Sequence, residues 1–230
     1  MLRARLLTLV LVLLAPLLAG CDGDEPTVAL LVADATDSSS RAVDVDAFTE
    51  RVAATCDQCR VTTYDAGGDA ETQKSQARQA AAASADVIVV VPVEPGDLTT
   101  LTAGDLPVVS LGTLVPGSDR FVGVEGDAVP SQSGTDLEAA RKVILGDEPS
   151  MTYVPTRPMS ERAADVAVAY LADVPAKDGQ DVDGVESWLY QDQDVTIDTL
   201  TSVLVDQGVL TLDELCSGAT HKRCARLGLR

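Results

Sequence analysis

Aromatic side chains are scarce in this 230-residue chain: two Phe, one Trp and four Tyr. Large aromatic anchors of the kind that dominate many cores and interfaces are therefore few, and Ala and Val must fill the interior. Histidine is scarcer still, at one residue, His221. A Ser-His-Asp triad would have to use it, and a zinc site would have no second imidazole. Beside Lys222 and Arg223 it reads as a solvated surface residue. Basic residues are outnumbered, 17 Lys and Arg against 36 Asp and Glu, for a net charge of −19. That field repels nucleic acid and anionic lipid, so no nucleic-acid partner is expected. The acidity by itself signals no more than solubility.

Enzyme signatures are missing as well. No Gly-x-Gly-x-x-Gly or phosphate-loop pattern occurs. Paired carboxylates abound, but in so acidic a chain they arise by chance and do not mark a glycosidase. Asp178–Gly184 looks superficially like a calcium loop. Setting Gly184 at the loop's glycine puts Gly179 and Tyr190 at the first and twelfth positions, where an EF-hand needs carboxylates. The stretch Asp173–Gly184 reads instead as an acidic linker. The expectation is a non-enzyme without metal or cofactor.

The N-terminus carries the firmest positive signal. Arg3 and Arg5 precede an apolar run, Leu6–Leu18, broken by Pro16. It is too short to span a bilayer and has the form of a signal-peptide core. It ends in Leu18-Ala19-Gly20-Cys21. Small residues before a cysteine suit the lipoprotein signal peptidase, whose substrate cysteine carries diacylglycerol on its thiol. Residues 1–20 are expected to be a signal peptide, Cys21 the lipidated N-terminus and 21–27 a tether on the outer face of the cytoplasmic membrane. Cleavage would remove two arginines and no acid, taking the net charge from −19 to −21.

Four cysteines then remain: Cys56, Cys59, Cys216 and Cys224. An even number in an oxidising compartment suggests disulfides, and local pairs Cys56–Cys59 and Cys216–Cys224 are the simplest arrangement. Cys56-Asp57-Gln58-Cys59 has redox spacing, but it follows an expected helix whereas thioredoxin-type motifs begin one.

Thr27–Ala33 is an unbroken apolar run, as a strand buried on both faces requires. Val45, Phe48 and Val52 fall at helical spacing. Arg60–Tyr64 alternates, and Asp69 can cap an Ala-rich helix to about Ser84. Asp86–Val91, Leu106–Leu111 and Phe121–Val124 are further strands. This alternation predicts an α/β fold with a doubly wound parallel sheet, whose ligands collect at the carboxyl ends of the strands. Asp34, Asp37 and Glu94 sit at such ends, where solvated loop carboxylates are the plainer reading and a polar pocket the sharper one. Beyond residue 126 the expected elements are a helix at Asp136–Leu145, a strand at Met151–Val154 and a helix at Glu161–Leu171. Extended segments at Ser187–Tyr190 and Val195–Ile197 follow, then a helix capped by Asp198 and a capping box at Thr211-Leu212-Asp213-Glu214.

Three segments carry a family resemblance. The tail runs from Gly184-Val185-Glu186-Ser187-Trp188-Leu189 through Asp206-Gln207-Gly208 to Glu214-Leu215-Cys216-Ser217-Gly218 and Cys224-Ala225-Arg226-Leu227-Gly228. A second segment joins Cys56–Cys59, Gly68-Asp69-Ala70 and Gln73 to Ala85–Val93, and a third covers Gly146 to Leu171. Together they resemble the periplasmic solute-binding proteins of carbohydrate ABC importers, specifically the D-xylose-type members. The resemblance implies a type I periplasmic-binding-protein fold, with two α/β lobes, three crossings and a sugar in the cleft. It implies an ABC permease and a small polar solute as partners.

Departures from the family pattern accompany it. After Glu125-Gly126 the match jumps to Gly134-Thr135-Asp136, so the first lobe (28–126) is expected largely intact and the second (127–157) strongly reduced, with 158–230 as return helix and tail. Leu111-Gly112-Thr113 stands where the family has Tyr-Asp-Arg. Asp44 matches an Asp, but Val45 replaces the Arg beside it, and Glu125-Gly126 replaces Asp-Asn. Asp136 survives from Gly-Gln-Asp. The family's sugar site is therefore expected to be lost or altered. The alternative is an envelope lipoprotein whose lobe surface binds a protein partner.

Overall fold

The computed structural model describes residues 25–35, 43–125 and 137–229. Its first half alternates strand and helix. β1 (Thr27–Val32) leads to α1 (Val45–Thr55), β2 (Arg60–Asp65), α2 (Ala70–Ala82) and β3 (Val87–Val90). A single 3₁₀ turn and the short α3 (Thr99–Thr102) then precede β4 (Val108–Gly112) and β5 (Arg120–Val124). Helix starts follow the caps. Asp44 accepts from the Ala47 amide at 2.9 Å, and Asp69 from the Thr72 amide at 2.6 Å. Each bond satisfies one of the donors that a helix N-terminus leaves open.

The second half contains α4 (Leu137–Leu145), β6 (Ser150–Tyr153), α5 (Thr156–Leu171), β7 (Gln180–Val182), β8 (Val185–Tyr190) and β9 (Gln193–Thr196). A π-helical turn at Thr201–Val205 precedes α6 (Leu212–Leu215), and α7 (His221–Leu227) closes the described chain. Seven strands form one sheet in the order β2-β1-β3-β4-β5-β8-β7, parallel except for the β7–β8 pair. Its two faces separate by strand alternation. Val28, Leu30, Val89, Val109 and Val122 face α1 and α5. Ala29, Leu31, Ile88, Val90 and Val108 face the side covered by α2. The expected doubly wound sheet is present.

A second, smaller core stands apart from this sheet. Ala140, Val143 and Ile144 of α4 meet Met151 and Tyr153 of β6, Val195 of β9, and Leu200, Leu204, Leu215 and Cys224 of the tail. β6 and β9 pair antiparallel. The chain passes between the two cores three times: between β5 and α4, between β6 and α5, and between β8 and β9. The tail therefore builds the second lobe. Leu215, next to the Cys216–Cys224 pair, is fully buried in the second lobe. Apolar residues that α4 and β6 cannot bury against each other are covered by 193–229.

Three local readings change. The expected linker Asp173–Gly184 contains β7, joined to β8 by an Asp183-Gly184 turn with φ of 52° and 83°. Two positive φ values make the type I′ turn that suits a hairpin. α5 begins at Thr156, not Glu161, because Pro158 lies in the first turn, where its missing N–H costs no helical bond. The helix expected from Asp198 shrinks to Thr201–Val205, because the Thr199 hydroxyl turns back to accept from the Thr196 amide at 3.0 Å.

Both cysteine pairs lie at disulfide distance, Cys56–Cys59 with Cα atoms 5.3 Å apart and Cys216–Cys224 with Cα atoms 5.7 Å apart. The Cys216–Cys224 bridge joins the end of α6 to α7 within the second core. In the chain-entropy model a loop of this length is worth about 2–3 kcal/mol. The double variant Cys216→Ala/Cys224→Ala should melt about 5–10 °C below the wild type. An unchanged melting temperature in oxidising buffer would show that the bridge does not restrain the tail.

Candidate functional site

The three crossings bring the second lobe to the carboxyl edge of the sheet, and a cleft of about 650 Å³ lies between the lobes there. The first lobe supplies Val32, Asp34 and Ala35 from the end of β1, Val43–Asp46 from the start of α1, and Thr63 of β2. Thr156 comes from the start of α5. The second lobe supplies Val209 and Glu214. Among the described residues, the lining includes four carboxylates and no Lys, Arg or His.

The surrounding backbone is fixed by side chains that sequence reading does not single out. Asp65 Oδ1 accepts from the Ala35 and Gly67 amides at 3.3 and 3.0 Å, tying the loop after β1 to the loop after β2. The Ser160 hydroxyl accepts from the Asp44 amide at 2.8 Å, holding the start of α1 against α5. Arg51 adds a paired contact to Asp165 at 2.6 and 3.0 Å. On the opposite wall, Glu214 closes the expected capping box with Thr211. Bonds from the Thr211 amide and hydroxyl hold the Glu214 carboxyl below its ordinary range and keep it ionised.

Asp34 and Asp44 meet in this cleft. Asp44 also caps α1, so one of its oxygens is engaged. Glu94 does not line the cleft. It is exposed and its carbonyl starts the 3₁₀ turn at Pro95–Leu98. Asp37, Asp136 and Cys21 lie outside the described residues. Asp46, Thr63, Thr156 and Glu214 were not anticipated. Among the described residues, no three His, Cys, Asp or Glu side chains are placed to hold a metal ion.

No protein-family model matches the sequence, and neither does any curated protein. Solved structures do match. An ABC-transporter solute-binding protein from Clostridium phytofermentans with bound β-D-glucose superposes with TM-score 0.67 at 10% identity, over 82% of this chain and 99% of that one. One from Chloroflexus aurantiacus in complex with D-glucose gives 0.66 at 11%, over 82% and 97%. One from Bacillus halodurans with bound myo-inositol gives 0.63 at 12%, over 79% and 98%. The fold is that of the type I periplasmic solute-binding proteins. The second lobe is contracted within it, and both lobes nonetheless contribute to the cleft.

Tyr153 marks the second crossing. It is 1% exposed, and burial pushes its phenol up to about 12. The folded state thus holds this proton more tightly than the unfolded chain, whose phenol has the ordinary value of 10.0. Its contribution to stability is complete below pH 10 and is lost as pH rises through about 12. Urea titrations of the wild type should show a steeper fall over that window than those of Tyr153→Phe. Parallel curves would contradict the burial.

Proposed function

We propose that the chain is a lipid-anchored, extracytoplasmic solute-binding protein of a carbohydrate-type ABC import system, not an enzyme, and that it receives a small polar solute in the cleft between its lobes. The observation that carries this reading is the cleft itself: it is bounded by both lobes, at the carboxyl edge where ligands of such sheets collect. The solved structures of the same fold are described with bound glucose or myo-inositol, which supports a small hydroxylated or comparably polar solute. The partner would be an ABC permease in the membrane to which Cys21 is anchored.

Two experiments test this. Radiolabelled palmitate should enter the wild type and not Cys21→Ala, and equal labelling would remove the anchor. Thermal unfolding against a panel of sugars, polyols and amines should reveal a saturable stabilisation. Thr63→Trp, which places a large ring at the exposed cleft position of β2, should abolish it. A stabilisation insensitive to Thr63→Trp would place the solute elsewhere and overturn the reading.

A further inference from the structure

We infer that a groove between α2 and residues 98–106 seats one acyl chain of the lipid on Cys21 while the protein is out of the bilayer. This rests on the lipid anchor proposed above and not on the solute cleft. The groove has a volume of about 370 Å³, within the range of small-molecule sites. Ala77 and Leu98, both buried, form its floor, and Ala81, Leu101 and Leu106 complete an apolar lining. It lies on the α2 side of the sheet, away from α1 and α5. Among the described residues it shares no lining residue with the cleft.

Where the tether joins the fold selects the occupant. Thr27 opens β1 and is tied to the stretch that follows α2. Its amide donates to Asp86 Oδ2 at 2.7 Å, and its carbonyl accepts from the Asp86 amide at 2.9 Å. On the far side of β3, the Ile88 amide donates to the Pro107 carbonyl at 2.9 Å, next to Leu106. The Leu106 end of the groove is therefore two strand spacings, about 10 Å, from Thr27 along the same edge of the sheet. Six residue steps separate Thr27 from Cys21, and such a stretch reaches about 20 Å at full extension. So short a tether holds its lipid at a millimolar local concentration, which fills even a weak groove.

Charge favours the same occupant. The tether carries Asp22 and Asp24. Arg78, on the α2 side of the groove, is exposed and makes no hydrogen bond or ion pair among the described residues. Lys74, one turn earlier, is engaged by Glu71 and Asp97, and Asp105 lies on the other side. Arg78 is thus the cation left to meet the tether carboxylates. In water, the acyl chain and the open apolar groove both gain by covering each other. A bilayer buries the chain more completely, so insertion empties the groove.

The test is photo-crosslinking of the full chain, produced with radiolabelled palmitate and carrying benzoylphenylalanine in place of Leu101. In dilute buffer, irradiation should join the proteolytic fragment that holds residue 101 to the labelled N-terminal fragment. The yield should be roughly five-fold or more above that from the same probe in place of Gln79, an exposed α2 position outside the groove. Ala81→Trp, which fills the exposed end of the groove, should cut the yield at residue 101 by roughly five-fold while the melting temperature stays within a few degrees. Adding phosphatidylcholine vesicles should lower it several-fold. A wild type that takes up no palmitate would remove the anchor and this inference with it. Palmitate taken up, with equal yields from residues 101 and 79 or a yield untouched by Ala81→Trp, would overturn the groove assignment and leave the anchor standing. A yield that vesicles do not change would overturn the release of the chain into the bilayer.

Discussion

Gln73→Leu should destabilise the protein by about 3 kcal/mol and lower its melting temperature by roughly 6–12 °C. Gln73 is 1% exposed near the start of α2, at a position where an apolar side chain would be the ordinary choice. Its amide nitrogen donates to the Val91 carbonyl at 2.8 Å, and its amide oxygen accepts from the Val93 amide at 2.8 Å. Those two bonds fix the chain as it leaves β3 at the carboxyl edge. Leucine fills the volume but strands one buried acceptor and one donor, each at about 1–3 kcal/mol. Gln73→Glu should be no milder at neutral pH: it keeps the oxygen that Val93 uses, but its second oxygen buries a negative charge against the Val91 carbonyl. Chemical denaturation would register both variants. A Gln73→Leu protein as stable as the wild type would mean that water or a backbone shift replaces both bonds.

D-xylose, D-ribose, D-glucose and L-arabinose should each bind with a dissociation constant weaker than about 10 μM, equivalent to about −7 kcal/mol. Tight capture of a buried sugar relies on charge-assisted and forked hydrogen bonds from Asp, Asn and Arg. Among the described residues no Arg lines this cleft, and Val45 stands at its edge. Each missing bond to a charged group is worth about 1.5–3 kcal/mol. The loop after β4 does not line the cleft either: Ser110 turns inward to accept from the Val115 amide at 3.0 Å. The opposite wall is present, built by Val209 and Glu214, but the Glu214 carboxylate is engaged by Thr211. Closure over a sugar would therefore add few new contacts. Calorimetry that returned a constant below 10 μM for any of the four sugars would show that other residues have taken over the lost roles.

The first lobe is legible in sequence because its strands are continuous Val, Ile, Leu and Ala runs, and two of its helices start at recognisable caps, Asp44 and Asp69. β7 was not legible because an edge strand need not be apolar: Gln180-Asp181-Val182 resembles a linker. The Asp183-Gly184 pair was the only local sign of a turn. The tail's share in the second lobe was not legible for a different reason. Its core joins α4 and β6 to a tail that follows the whole of α5, β7 and β8, and local periodicity does not report contacts over that separation. The site divides in the same way. Asp34 and Asp44 were found because strand ends and family likeness pointed to them. Glu214 reaches the cleft only through the fold of the tail, and Thr156 looked like a loop residue ahead of Pro158.

The most direct test of the two-lobed cleft as the solute site is hydrogen exchange of the full chain with and without a saturating amount of the sugar, polyol or amine that most raises its melting temperature. The account predicts added protection on both walls together, at residues 32–35 and 43–47 of the first lobe and 209–215 of the second, with Thr63→Trp erasing it. Protection confined to the outer groove formed by α2 and residues 98–106, or no change in either wall, would contradict it.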